Sequence, residues 1–309
     1  MTRFSIKKAL SVIVFILIAV VISYYLKTHW QEFHEIKIVS WWYFTGLFLS
    51  TIVSIWVTSL FFKKSVEPYS LKLTFKEYFG LTMITLMGNY LIPFSGLGVR
   101  AIYMKKVYKF SYHNFLTTII ANWITNFIIY SFGGIVALII YYLRTHTINW
   151  ILVTVFLSVM IISLITFIPI KIEKKSGKIF SKIIAPLLQW QEYFRHKDIL
   201  QALFVITFWQ FIFSALMFYF GYLAFGFKIT FVESFLPTAL SLYSSVIRLV
   251  PGSFGFYEFA VVYPSKVVGL SITQGIAVSA ITRLATMFWT FALGIIFSYI
   301  LLRKGKREI

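Results

Sequence analysis

The sequence predicts an all-α polytopic membrane protein, with about six transmembrane helices and two opposed re-entrant helical hairpins in inverted repeats. Three observations predict it. The 309 residues are 59% hydrophobic and 13% charged, where a soluble domain would carry roughly a quarter charged residues. The apolar residues fall in unbroken runs rather than in the every-second-position alternation of a transmembrane β-barrel. The net charge of +19 sits in short segments between those runs. That is the positive-inside pattern combined with attraction to anionic lipid, and it excludes nucleic acid as the partner. The chain has no cysteine, so disulfides, thiolate metal sites and cysteine nucleophiles are excluded. A bacterial or archaeal cytoplasmic (inner) membrane fits this composition.

The elements follow in order along one membrane domain, residues 1–309. Arg3, Lys7 and Lys8 precede the apolar run Ala9–Leu26. This resembles a signal peptide, but the run is long and no small-x-small cleavage site follows, so it reads as an uncleaved first span with a cytoplasmic N-terminus. Loop 27–40 balances Lys27 and Lys37 against Glu32 and Glu35 and belongs outside. Trp41, Trp42 and Tyr43 anchor the next span, Trp41–Phe62, at the outer interface. Lys63, Lys64, Lys72 and Lys76 then mark the cytoplasm. Region Phe75–Tyr108 is interrupted by Pro and Gly and is followed by Lys105, Lys106 and Lys109, again cytoplasmic. It therefore enters and leaves by one face, as a hairpin with its tip near Pro93.

Span Asn114–Leu143 runs outward, and Ile148–Ile170 returns. Segment 171–197 places Lys174, Lys178 and Lys182 on one stripe and reads as an amphipathic basic helix on the cytoplasmic surface. Ile199–Phe225 runs outward to a nearly neutral loop at Lys228. The last span, Ile272–Leu302, ends at Arg303, Lys304, Lys306 and Arg307, so the C-terminus is cytoplasmic. Region Phe231–Leu270 must then enter and leave from outside, as a second hairpin with its tip near Pro251. Residues 41–143 and 199–302 become inverted repeats.

The two tips, "PFSGLGVR" (Pro93–Arg100) and "PGSFGFYE" (Pro251–Glu258), each carry Pro, Ser two residues later, a nearby Gly, and a charge seven residues later. Broken apolar segments at corresponding places in two halves point to a transporter's binding site. Non-helical backbone at that depth is tolerated against protein or a water-filled cavity. Pro93, Gly96, Gly98, Pro251, Gly252 and Gly255 would shape the tips. Arg100, Arg248, Glu258 and Arg283 are charges at depth and need partners or water. One reading makes them a site for a lipid phosphate, with Glu258 as counter-ion or as contact to a cationic head. The other readings are a structural Arg–Glu pair pinning hairpin to span, or snorkelling to the interface. Asn89, Asn122 and Asn126 are amides in apolar stretches that either line the cavity or bridge helices.

Enzyme motifs fail. His29, Glu32 and His34 lack the spacing of a His-Glu-x-x-His site, "GLGVR" follows no strand, and Asp198 is the single aspartate. No acidic cluster for Mg²⁺ exists of the kind that prenyl or phosphatidyl transfer needs. The reading is a non-enzyme with no metal and no cofactor.

Three blocks carry a family resemblance: "NYLIPFSGLGVRAIYMKKVYKFS" (Asn89–Ser111), "LVPGSFGFYE" (Leu249–Glu258) and "ITRLATMFWTFALG" (Ile281–Gly294). They resemble the membrane domain of lysylphosphatidylglycerol synthase/flippase and its stand-alone flippase-like relatives. The resemblance implies translocation of an aminoacylated phospholipid or another lipid-linked group between leaflets, with Arg100, Glu258 and Arg283 as the family's polar residues. Many relatives carry an acidic residue where Leu97 stands. Many also carry an acidic–Arg pair and an Asp where Asn122, Trp123 and Asn126 stand, so the first repeat has lost charge. The chain stops at Ile309, soon after the last span, so a stand-alone member without the synthase domain is expected. The expected function is flippase-like movement of a phospholipid or lipid-linked polar group, with anionic or lipid-linked membrane lipids as partners. The alternative is a non-transporting scaffold for a glycosyltransferase or lipid-modifying enzyme. Homo-oligomerisation stays open.

Overall fold

The computed structural model describes residues 20, 23–25, 27–168, 190–191, 196–246 and 250–308. Most of the expected first span, most of the basic segment 171–197, and Arg248 lie outside the described residues. Among the described residues there is no strand. The helices are α1 (Trp30–Glu35), α2 (Trp41–Val66), α3 (Phe75–Leu91), α4 (Ser95–Tyr108), α5 (Tyr112–Thr145), α6 (Trp150–Ile165), α7 (Lys197–Ala224), α8 (Phe235–Ser244), α9 (Phe256–Val267) and α10 (Ile272–Glu308).

Among the described residues, four helices are long and apolar enough to cross a membrane: α2, α5, α7 and α10. Their outward faces carry Leu49, Trp56, Phe132, Val205, Phe208 and Ile295, all exposed. Their inward faces carry small polar residues, among them Ser54, Ser59, Thr125 and Thr207. Ser54 and Ser214 join α2 to α7 through a 2.8 Å hydroxyl pair. This is the packing expected where lipid supplies no hydrophobic drive between helices, so small residues and hydrogen bonds hold them together.

Helix α6 is apolar but has 16 residues, fewer than the roughly 20 needed to span a hydrocarbon core. The sequence reading runs this span on to Ile170, but the helix tightens before that. Thr166, Phe167 and Ile168 donate to carbonyls three residues back, and the Thr166 hydroxyl takes the Ser163 carbonyl at 2.6 Å. That local bonding ends the α pattern.

The four shorter helices form two hairpins, α3–α4 and α8–α9. At about 1.5 Å per residue, even the 17-residue α3 reaches only about 25 Å, short of a core of about 30 Å. The bases of the hairpins lie near opposite ends of α2. The base of α3–α4 lies where α2 ends: Tyr69 packs on Phe110 at 5.2 Å, and the Tyr108 hydroxyl donates to Glu77. The base of α8–α9 lies where α2 begins. There Val39 N–H donates to the Ala224 carbonyl at the end of α7, and Tyr222 and Ser265 share a 2.6 Å hydrogen bond. The Tyr141 hydroxyl near the end of α5 donates to the Val267 carbonyl.

The packing partners exchange in pairs. Helix α2 packs on α7, α3 packs on α10, and α8 packs on α5. Exchanging α2 with α7, α3 with α8 and α5 with α10 returns the same set. Each hairpin also opens with the same box, "KLTFKEYF" (Lys72–Phe79) and "KITFVESF" (Lys228–Phe235), identical at five of eight positions. In both, the glutamate three residues on accepts from the threonine N–H, at 2.8 Å for Glu77 and 2.6 Å for Glu233, with Thr74 at the N-cap of α3 and Thr230 in the turn that precedes α8. This is half or all of a capping box.

Candidate functional site

The two hairpin tips meet. Pro93 and Phe94 turn the first, and Phe94 takes a left-handed φ of 62°, unusual for a residue with a bulky side chain. Asn89 accepts from the Gly96 N–H at 3.2 Å, and the Ser95 hydroxyl donates to the Gly88 carbonyl at 2.6 Å. These bonds staple α3 to α4 where Gly88 and Gly96 bring the backbones together. The second tip is the 3₁₀ turn Pro251–Ser253, in which Gly252 has φ 62°. It packs against α3, and Gly252 lies beside the Tyr90 ring.

Glu258 and Arg283 come together behind the second tip. Arg283 is 6% exposed and lies within 2.8 Å of Glu258 Oε1 through Nη2, while its Nη1 donates to the Gly252 carbonyl at 2.8 Å. Its guanidinium lies over the rings of Phe254, at 4.2 Å, and Tyr257, at 4.6 Å. The second Glu258 oxygen accepts from the Gly255 N–H at 2.6 Å, where Gly255 has φ 82° and begins α9. One carboxylate thus caps a helix and neutralises a cation. One cation reads the backbone of the tip.

Arg100 lies elsewhere. It lines a cavity of about 130 Å³ together with Asn89, Leu97, Asn122 and Trp123. The remaining lining includes Thr58, Ser65, Thr82 and Thr118 from the surrounding helices. The Arg100 guanidinium carbon lies 3.2 Å from the centre of the Phe62 ring, and its Nε is buried with no hydrogen-bond partner. Among the described residues no carboxylate pairs with Arg100 and none lines the cavity. The contributing stretches of α2, α3 and α5 adjoin the basic segments at Lys63–Lys64 and Lys105–Lys109.

The candidate residues therefore form two groups, not one. Asn89, Arg100 and Asn122 share the cavity. Gly252, Gly255, Glu258 and Arg283 share the ion pair. Adjacent residues of α3 touch both, Asn89 on the cavity and Tyr90 on Gly252. Gly96 is a packing residue, and Gly98 faces open space. Asn126 is buried and donates to the Asn122 carbonyl of its own helix at 2.7 Å. Sequence reasoning missed Glu77, which is 1% exposed and clamps the base of the first hairpin between Thr74 and Tyr108. The repeated Thr-Phe-x-Glu-x-Phe box is the signal that could have found it.

Long apolar helices around paired hairpins define a multi-pass membrane protein. The chain belongs to the lysylphosphatidylglycerol synthase TM region family, whose profile matches residues 9–294. The match concerns the membrane region of that family. No curated protein and no solved structure matches the chain.

Proposed function

We propose that this protein moves a phospholipid, or a lipid-linked polar group, between membrane leaflets. The observation that carries the reading is the Arg100 cavity, an uncompensated cation among amides and hydroxyls beside the first hairpin tip. Unpaired charge inside a membrane protein is costly and marks a substrate path. On this reading both hairpins are re-entrant and the two halves are inverted repeats. The cavity opens toward the cytoplasm, where the lysine-rich segments draw anionic lipid. The Arg283–Glu258 pair, latched to the Gly252 carbonyl, closes the path toward the other face. Rocking of one repeat against the other would break that latch and carry the headgroup past the tips.

The test is reconstitution into vesicles carrying a headgroup-labelled phospholipid, with a membrane-impermeant quencher added outside. Protein-containing vesicles should lose more than the outer-leaflet half of the signal, and vesicles with folded Arg100→Ala should behave as protein-free ones. Quenching limited to the outer leaflet for the wild-type protein across anionic and zwitterionic lipids would overturn the transport reading and leave the scaffold.

A further inference from the structure

The interior charges can be accounted for one by one. Glu258 has one oxygen on Arg283 and the other on the Gly255 N–H. Glu77 is engaged by Thr74 on one oxygen and Tyr108 on the other. Glu233 faces Thr230 and Arg144 at the far end of the bundle. No described carboxylate is left to meet a cation brought into the Arg100 cavity. The cavity itself offers one guanidinium, the amides Asn89 and Asn122, and hydroxyls such as Thr58, Thr82 and Thr118.

An anion is what such a cavity lacks. The Phe62 face gives the guanidinium no hydrogen-bond acceptor, and its buried Nε has none either. Charge-assisted bonds to phosphate oxygens would satisfy both needs. An ammonium in the same space would sit beside Arg100 with no carboxylate to receive it, a like-charge contact in a medium that screens poorly. Amides and hydroxyls, by contrast, can exchange hydrogen bonds with the hydroxyls of an uncharged head.

We propose that the Arg100 cavity selects phosphate groups whose remaining head is uncharged, and rejects heads that carry an ammonium, whether zwitterionic or aminoacylated. This specificity rests on the lipid-movement reading above. It assigns Asn122 as a specificity-determining residue, because a carboxylate of the same size there would supply the missing counter-charge.

Binding to the detergent-purified protein tests it, by native mass spectrometry and thermal shift. The probes are phosphatidylglycerol, phosphatidylethanolamine, lysyl-phosphatidylglycerol and inorganic phosphate, each competed against the others. The wild-type protein should hold phosphatidylglycerol at least about tenfold more tightly than either amine-bearing lipid. Asn122→Asp should shrink or reverse that preference, and Leu97→Glu provides a second placement of the acid in the same cavity. Arg100→Met should lose the preference for phosphatidylglycerol.

Equal binding of amine-bearing and amine-free lipids by the wild-type protein would overturn the charge selection while leaving lipid movement intact. A preference unchanged in both folded acid variants would overturn the assignment to this cavity. If inorganic phosphate displaced phosphatidylglycerol completely and no lipid were retained in its place, the anion selection would stand and the lipid reading would fall.

Discussion

Two guanidiniums in one bundle keep different company. Arg283 has a carboxylate, a backbone carbonyl and two aromatic faces. Arg100 has one ring and an open cavity. Removing one partner of a buried pair leaves a bare charge and costs about 3–5 kcal/mol, whereas replacing both with apolar groups is often nearly neutral. Glu258→Gln and Arg283→Met should therefore each lower the thermal midpoint in detergent. The double variant should regain most of the loss, a positive coupling in a double-mutant cycle. Arg100→Met should lose little stability, because no described carboxylate is stranded by it. Losses for Glu258→Gln and Arg283→Met that merely add would show that the two side chains are not coupled. That charges sat at the tips was legible in the sequence. Which charge had a partner was not, since Arg283 lies far along the chain from Gly252 and only tertiary packing joins them.

At the scale of elements, glycine decides how closely the hairpin arms approach. A Cβ at Gly96 would lie 1.9 Å from the Thr85 carbonyl oxygen, whereas one at Gly98 would meet nothing within 4 Å. Gly96→Ala must push α4 off α3, and overpacking of this kind costs about 1–3 kcal/mol or more. Gly98→Ala lies in the same helix, and replacing glycine there gains about 0.5–1 kcal/mol of helix propensity. Thermal unfolding should show opposite signs for the two variants two residues apart, and equal losses would mean that the arms do not pack as described. Thr74→Ala, at the N-cap of α3, should cost about 0.5–2 kcal/mol by thermal unfolding, and Thr230→Ala, in the turn before α8, should cost less. The sequence reading found the tips through Pro and Gly and set the ends of α2, α5 and α7 to within a few residues, because apolar length is a strong signal. It overran α6, although Pro169 stands three residues beyond the C-cap Thr166 as a stop signal and a local hydroxyl–carbonyl bond closes the last turn.

On the scale of the whole molecule, each half supplies what the other packs against. The first hairpin lies on α10 of the second half, and the second lies on α5 of the first. The bases of the hairpins stand at opposite ends of α2, and their tips meet at Tyr90 and Gly252. Loop charge alone places the two hairpins on opposite faces of the membrane, since positive-inside bias acts on each short loop separately. What it could not supply was the exchange of partners, which appears only when the helices are placed in space. The cysteine-free chain allows a direct test of the opposition. Lys72, Lys109, Lys228 and Lys266 are all exposed, with the first two at the base of one hairpin and the last two at the base of the other. Each would be replaced singly by cysteine and treated with a membrane-impermeant maleimide in intact spheroplasts. Lys228→Cys and Lys266→Cys should react at once. Lys72→Cys and Lys109→Cys should react only after permeabilisation. Labelling of all four from one side would overturn the inverted arrangement. A split between Lys72→Cys and Lys109→Cys would turn the first hairpin into a crossing, and the Arg100 cavity could then not open to the cytoplasm as proposed.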